Sequence, residues 1–393
     1  MIEFLDVAAV RRDFPITGRM LYFDAAHQTP LSTRVRAELD RFYSQGYETA
    51  GPKSRWLDRV ELVRAQVARL IGAAPSEIAF TKNTSEGLNI AANSLPLRPG
   101  DNVAMVEGDH PNNAYAFLHL RRKGVETRFV PLRGETADAA TFEQYIDERT
   151  RAISLSHVTF HAGHRFDVGS IADLCKARGL FLVVDTMQSV GVLPLDVKAL
   201  GISMAAFGCH KGLLVPQGLG VLYCDGKLDE LEPAYLATAS LLEPPADFIA
   251  RPNRMELKTG AGRFEIGNFN LPAIHALGAS LDLIEEIGVI SIEKHILALS
   301  DRLIKRLDEL GIALAGPRTR KHRTHIHTLL LPVEKWLPYF EEHGVRVSPE
   351  RDGIRVSFAM FNTLEEIDRL IELIARRLRS DAGSTHAITR QSA

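Results

Sequence analysis

Three apolar runs in this sequence stop at residues that can do chemistry. Leu180-Phe-Leu-Val-Val184 runs into Asp185, with Gln188 close behind. Met204-Ala-Ala-Phe207 runs into Gly208-Cys209-His210-Lys211, and Ala152-Ile-Ser-Leu-Ser156 runs into His157 and His161. A carboxylate placed directly behind an apolar strand needs a cation or several donors, because burying it alone is expensive. Lys211 is not that cation if it is itself to be neutral and nucleophilic.

A third body between the two side chains resolves the conflict. A protonated pyridine nitrogen answers Asp185 and an aldehyde carbon answers Lys211, and pyridoxal phosphate carries both. A lysine amine condenses reversibly with the aldehyde, and desolvation or nearby positive charge frees it to act later as a base. The phosphate needs a seat, and Thr81-Lys-Asn-Thr-Ser-Glu-Gly-Leu-Asn89 offers hydroxyls and free amides at the start of a helix. His110, in Gly108-Asp-His-Pro-Asn112 behind the run Asn102–Val106, is placed to stack on a flat ring.

These residues need a scaffold that brings strand ends together. Between Asp101 and Cys224, short apolar strands (102–106, 125–130, 152–156, 180–184, 204–207, 220–224) alternate with helical stretches at 112–123, 139–149 and 171–178. That alternation predicts a mostly parallel sheet covered on both faces, an α/β fold in which ligands bind beyond the carboxyl ends of strands. Upstream, Val60, Val63, Val67, Leu70 and Ile71 mark the buried stripe of a helix over 58–72. A Pro/Gly-bearing stretch around 243–262 reads as a boundary. Beyond it come helices at 271–286, 292–310 and 333–343, strands at 327–331 and 353–358, and a last helix opened by Thr363 and Glu366 as a capping box. The expected organisation is a large domain over 16–259, a smaller α+β domain from 1–15 and 260–380, and a loose, patternless tail over 381–393.

Composition excludes several classes. Of 393 residues, 45% are hydrophobic and 24% charged, so the chain is not broadly disordered. Lys+Arg 47 against Asp+Glu 49 leaves a net charge of −2, with no footprint for nucleic acid or an anionic membrane. No apolar run reaches the roughly 18 residues of a membrane span, and the first residues lack the apolar core of a signal peptide. Cys 3, with no CxxC, argues against disulfides and a thiolate metal site. Cys175, Cys209 and Cys224 are expected in the core. His322, His325 and His327 sit among Arg318, Arg320, Lys321 and Arg323, whose charge opposes a cation, so no metal is expected. A cytosolic enzyme is the expected class. A nucleotide-dependent protein would need a GxGxxG or GxxxxGK[ST] loop, and neither occurs. A non-catalytic binding module on the same fold is countered by the presence of Lys211.

Taken together, Asp185-Thr-Met-Gln188, His210-Lys211 with Pro216-Gln-Gly218, Asn83-Thr-Ser-Glu86 and Asp109-His-Pro111 resemble the class V aminotransferase family of fold-type I pyridoxal-phosphate enzymes. The likeness extends from Tyr22-Phe-Asp-Ala-Ala26 to Arg355-Val-Ser-Phe358 and Phe361-Asn-Thr363. It implies a seven-stranded sheet in the large domain and a homodimer with sites at the subunit interface. It makes Lys211 the Schiff-base lysine, Asp185 the partner of the pyridine nitrogen, Gln188 a partner of the ring's phenolic oxygen and His110 the stacking residue. Thr84, Ser85 and His210 would hold the phosphate, with Asn268 reaching it from the neighbouring subunit. Arg355 would grip the α-carboxylate of an amino-acid substrate.

The departures narrow the reaction. Cysteine desulfurases carry a nucleophilic Cys before the carboxylate-binding arginine, and 341–353 contains none. Thr159-Phe160 replaces the family's Ser-Asn, and Gly208 replaces a phosphate-binding Ser. The stretch 159–167 is more similar to the epimerase and lyase branches, and it puts His161 at the substrate pocket, with His164 and Arg165 unassigned. The expected activity is an aminotransferase or a β-eliminating C–S lyase working by Cα deprotonation. Epimerisation and a desulfurase-like reaction without the persulfide Cys are the alternatives.

Overall fold

The computed structural model describes residues 5–391 apart from 248 and 252. Helices α1 (Val7–Arg12), α2 (Thr33–Thr49) and α3 (Lys53–Leu70) flank a short strand β1 (Leu21–Tyr22) and precede the main sheet. Strand β2 (Ile78–Thr81) leads into α4 (Thr84–Ser94), β3 (Asn102–Val106) into α5 (Pro111–Leu118), and β4 (Glu126–Val130) into α6 (Ala139–Glu143). Strand β5 (Thr150–Ser156) leads into α7 (Val168–Arg178), and β6 (Phe181–Asp185), β7 (Met204–Gly208) and β8 (Gly220–Cys224) follow. These strands form a seven-stranded sheet in the order β2-β8-β7-β6-β5-β3-β4. Only β8 runs against its neighbours β2 and β7. Strands β3, β7 and β8 are buried along their whole length, which is why they read as nearly unbroken apolar runs.

The rest is α8 (Leu271–Ile287), α9 (Val289–Glu309), β9 (Leu314–Ala315), β10 (Ile326–Leu329), α10 (Val333–Glu342), β11 (Val345–Arg346), β12 (Ser348–Glu350), β13 (Gly353–Ser357) and α11 (Leu364–Gln391). A second sheet, β12-β13-β10-β9, is four-stranded and antiparallel. Helix α8 lies against α2 and α3, and its Ala273, Ile274, Leu277 and Ile284 join the core of the large sheet. Helix α9 spans both cores, with Ile292 and Ile296 in the first and Leu299, Leu303 and Leu307 in the second. Packing therefore changes hands within α9, later than the boundary drawn at 259. Val10 and Phe14, from the stretch expected with the smaller domain, also sit in the large core.

Two elements differ from expectation. The helix expected over 139–149 stops at Glu143. Asp147 Oδ1 there accepts from the Arg149 amide and Asn102 Nδ2, and such side-chain bonds compete with helix propagation. The final helix runs to Gln391 through the stretch expected to be patternless, since extending a formed helix fixes one residue per new hydrogen bond. Its start matches the capping box: Thr363 N donates to Glu366 Oε2 at 3.1 Å and Glu366 N to Thr363 Oγ1 at 3.2 Å.

Candidate active site

The carboxyl ends of β5, β6 and β7 meet the first turn of α4 around a cavity of about 230 Å³. Thr84, Ser85, His110, Asp185, Gln188, His210 and Lys211 line it together. The fold thus gathers residues spread over more than a hundred positions, which the strand-end argument predicts.

Asp185 closes β6 with its carboxylate buried. Its Oδ1 accepts the Met187 amide at 2.8 Å, and no hydrogen bond to Oδ2 is found among the described residues. Burial pushes its pKa up to about 7, opposed by the Met187 amide, with the Asp109 charge raising it further and Lys211 lowering it. Lys211 has the complementary problem. Burial, then the charge of Arg355, lowers its ammonium to about 8, against the pull of Asp185, Asp24 and Glu350. An acid and an amine pushed in opposite directions inside one cavity form an acid–base site.

The loop carrying Lys211 is clamped from the N-terminal segment: Thr29 Oγ1 donates to Lys211 O at 2.7 Å and Thr29 N to His210 O at 3.1 Å. Leu214, buried at φ 59°, turns the chain in the left-handed region, and its amide donates to Lys211 O at 3.0 Å. Cys209, beside His210, is fully buried, and burial pushes its thiol well above the usual range, so it is a core residue.

The anion cup is built by α4. Asn83 caps the helix by accepting the Glu86 amide at 2.9 Å, which leaves the first-turn amides of Thr84 and Ser85 without partners inside the helix. A Cβ at Gly220 would lie 2.6 Å from the Asn83 backbone, so only glycine lets β8 approach the cup this closely. At Gly208 the space is taken by Met187, whose Sδ accepts from the Gly208 amide at 3.0 Å and Thr84 Oγ1 at 3.2 Å.

His110 caps α5, its Nδ1 accepting the Asn112 amide at 3.1 Å. Burial and the charges of Lys211 and Arg355 lower its pKa to about 4, so the ring is neutral, with its proton on Nε2. Phe160 stands edge-on to it at 4.8 Å. Asp109 fixes this corner, accepting Ser156 N at 2.7 Å, Ser156 Oγ at 2.5 Å and Asn113 Nδ2 at 3.2 Å. Gln188 donates from Nε2 to Ala26 O at 3.0 Å, and its Oε1 is buried without a partner.

Of the two residues expected at the substrate, Arg355 lies on the smaller sheet and His161 in the loop after β5; neither lines the cavity above. Arg355 is buried on β13, opposite the Ile354, Val356 and Phe358 face that enters the second core. His161 Nε2 meets Arg351 Nη2 at 2.7 Å, and burial lowers its pKa to about 4. Asn268 is exposed and does not line the cavity. Its segment is anchored by Glu265, which accepts from Arg64 Nη1 at 2.6 Å and Phe80 N at 2.8 Å. Sequence reasoning missed Asp24, Asp109, Thr29 and Glu350. Asp24 and Asp109 lay in the quoted Tyr22–Ala26 and Asp109–Pro111 motifs; Thr29 carries no local signal because Lys211 is distant in sequence, and Glu350 meets Arg355 only through the pairing of β12 with β13.

Among the described residues, no group of three or more His, Cys, Asp or Glu is arranged to hold a metal ion. No helix of the described chain is long and apolar enough to cross a membrane.

The model of the family "Aminotransferase class-V" matches residues 21–370. The chain belongs to the class V aminotransferase family. This class V enzyme is 33% identical over 379 residues to an uncharacterised aminotransferase of Schizosaccharomyces pombe, covering 94% of this chain and 96% of the relative. It is 34% identical over 307 residues to a probable cysteine desulfurase of Methanothermobacter thermautotrophicus, covering 76% and 75%. The apo structure of a cysteine desulfurase from Thermococcus onnurineus NA1 superimposes with a TM-score of 0.87 at 26% identity, over 96% of this chain and 99% of that one.

Pyridoxal phosphate is the cofactor of this class V enzyme, and the site fits it. Asp185 Oδ2 is free to accept a ring N–H, Gln188 Nε2 carries one hydrogen beyond its bond to Ala26 O, and the α4 cup presents unpaired amides. When bound, the cofactor supplies an electron sink for charge developing at a substrate carbon.

Proposed function

We propose that this enzyme deprotonates an α-amino acid at Cα and carries it on to transamination or β-elimination of a C–S bond. Asp185 keeps the ring nitrogen cationic, and Thr84, Ser85 and His210 seat the phosphate. Gln188 uses the second hydrogen of its Nε2 toward the ring's phenolic oxygen. His110, neutral and beside the ring, excludes water from one face. Once the substrate amine takes its place, Lys211 Nζ removes the Cα proton, which an amine lowered to about 8 does efficiently near neutral pH. Arg355 holds the α-carboxylate, and His161 borders the substrate. The observation that carries the reading is the shared cavity of Lys211 and Asp185, with pKa values displaced in opposite directions.

A persulfide-forming desulfurase is disfavoured. The stretch before Arg355 has no cysteine, and Cys175, Cys209 and Cys224 are all buried elsewhere. We further propose a homodimer in which Asn268 reaches the partner's phosphate, because that residue is exposed on an anchored segment beside exposed Ile266. Unpaired buried thiols fit a reducing, cytoplasmic setting.

The test is a visible spectrum followed by an amino-acid panel. A yellow protein that loses its colour in Lys211→Ala, and that yields a keto acid, pyruvate or sulfide from one panel member, supports the reading. A colourless protein that takes up no added pyridoxal phosphate refutes it. Racemised product alone would favour epimerisation.

A further inference from the structure

The guanidinium of Arg355, read above as the seat of the substrate's carboxylate, already carries a carboxylate of its own chain. Its Nη1 donates to Glu350 Oε1 at 2.5 Å and to Phe160 O at 3.0 Å. Strand register makes this contact systematic. On β12, Ser348 lies opposite Arg355 and Glu350 opposite Gly353, so alternation puts Ser348, Glu350 and Arg355 on one face of the sheet.

The other arm of Arg355 is differently placed. Nη2 lies 3.6 Å from Asp24 Oδ1, beyond hydrogen-bond reach, and Nε is buried with no partner. Asp24 is itself committed elsewhere, accepting Ser348 Oγ at 2.5 Å and Arg346 Nε at 3.3 Å. The side chain of Glu350 has no hydrogen-bond partner but Arg355 among the described residues. It sits at the end of a three-residue strand, next to the exposed cation Arg351.

We propose that Glu350 is a resident stand-in for the substrate's α-carboxylate, exchanged when an amino acid binds, and that it sets the site's preference for amino acids over plain carboxylic acids. A buried guanidinium without a counter-charge is costly, and one carboxylate replacing another keeps it compensated throughout. The stand-in also filters ligands. Tethered to the same sheet, it competes at a high effective concentration that a lone carboxylate in solution does not match. An α-amino acid would also bond its amine to the cofactor carbon held by Lys211, releasing the lysine, so its carboxylate is delivered locally and wins the exchange. Arg351, one position along, is the cation able to receive the displaced Glu350.

The inference rests on Arg355 being the carboxylate site, and the experiment separates the two ideas. Propionate binding to the holoenzyme is measured by calorimetry for the native protein, Glu350→Gln, Glu350→Ala and the double variant Glu350→Gln/Arg355→Gln, each checked by thermal melting. Both single variants are expected to bind propionate about tenfold more tightly than the native protein, through removal of a competing like charge. They should also lower KM for the amino-acid substrate. The double variant should lose the gain. Propionate binding unchanged or weakened in both single variants overturns the stand-in. A gain that survives in the double variant shows instead that Arg355 is not the carboxylate site.

Discussion

Thr84 Oγ1 lies 3.2 Å from the sulfur of Met187, so the hydroxyl at the mouth of the anion cup is spent on a thioether. Sulfur is a weak acceptor, and an anion placed in the cup would take that hydrogen bond readily. Replacing Thr84 with Val should therefore weaken pyridoxal phosphate by about tenfold, in line with the ~1.5–3 kcal/mol of a hydrogen bond to a charged group. Equilibrium dialysis of the apoenzyme checks this, and an unchanged Kd removes Thr84 from the phosphate seat.

Asp185 couples the apoenzyme's stability to pH. Its folded pKa, about 7, stands above the ordinary carboxylate value of 3.8, so between those values the folded state binds a proton that the unfolded chain has released. Its contribution to stability is therefore fully present below pH 4 and is lost as pH rises toward 7. Asp185→Asn should flatten this part of the denaturation profile and raise apoenzyme stability at pH 8. The same variant should lose most activity, because the ring nitrogen loses its anionic partner. A profile identical to the native one would show that the carboxylate is not buried as described.

Lys211 titrates in the opposite sense. Its amine, lowered to about 8, is charged below that pH and neutral above it. Stopped-flow uptake of pyridoxal phosphate should accelerate as pH rises through about 8 and level off beyond. Lys211→Ala should still bind the phosphate end but form no covalent link, visible as loss of borohydride-trapped cofactor in mass spectra.

Arg64 and Glu265 form a buried pair at 2.6 Å that also secures the Phe80 amide on β2. Glu265→Ala takes the buried carboxylate from the guanidinium and the side-chain acceptor from that amide, and should cost about 3–5 kcal/mol in urea unfolding. A loss below about 1 kcal/mol would mean that Glu61, bonded to Arg64 Nε at 3.0 Å, suffices to compensate it.

Much of the site could be read because each of its parts has a local signature. Asp185 and Lys211 end apolar strands, Asn83 and Thr84 open a helix, and Thr363 with Glu366 announces another. Strand and helix periodicities depend on neighbours a few residues away, so they survive in a linear reading. Helix 139–149 failed for a reason of the same kind in reverse: Asp147 is tied to Asn102, a residue 45 positions distant, and no periodicity reports that bond.

The residues themselves determined the fold class, the family and its cofactor, since these follow from residue type and order along the chain. Tertiary structure alone decided what surrounds them. It put Asp109 under Ser156, Met187 in the space above Gly208, Thr29 on the Lys211 loop and Glu350 on the guanidinium of Arg355. Charges as near in sequence as Glu350 and Arg355, or as far apart as Asp24 and Arg355, act strongly on one another only when folding sets them side by side and removes the water between them. The pKa values, and the occupant of Arg355, are therefore properties of the packed chain.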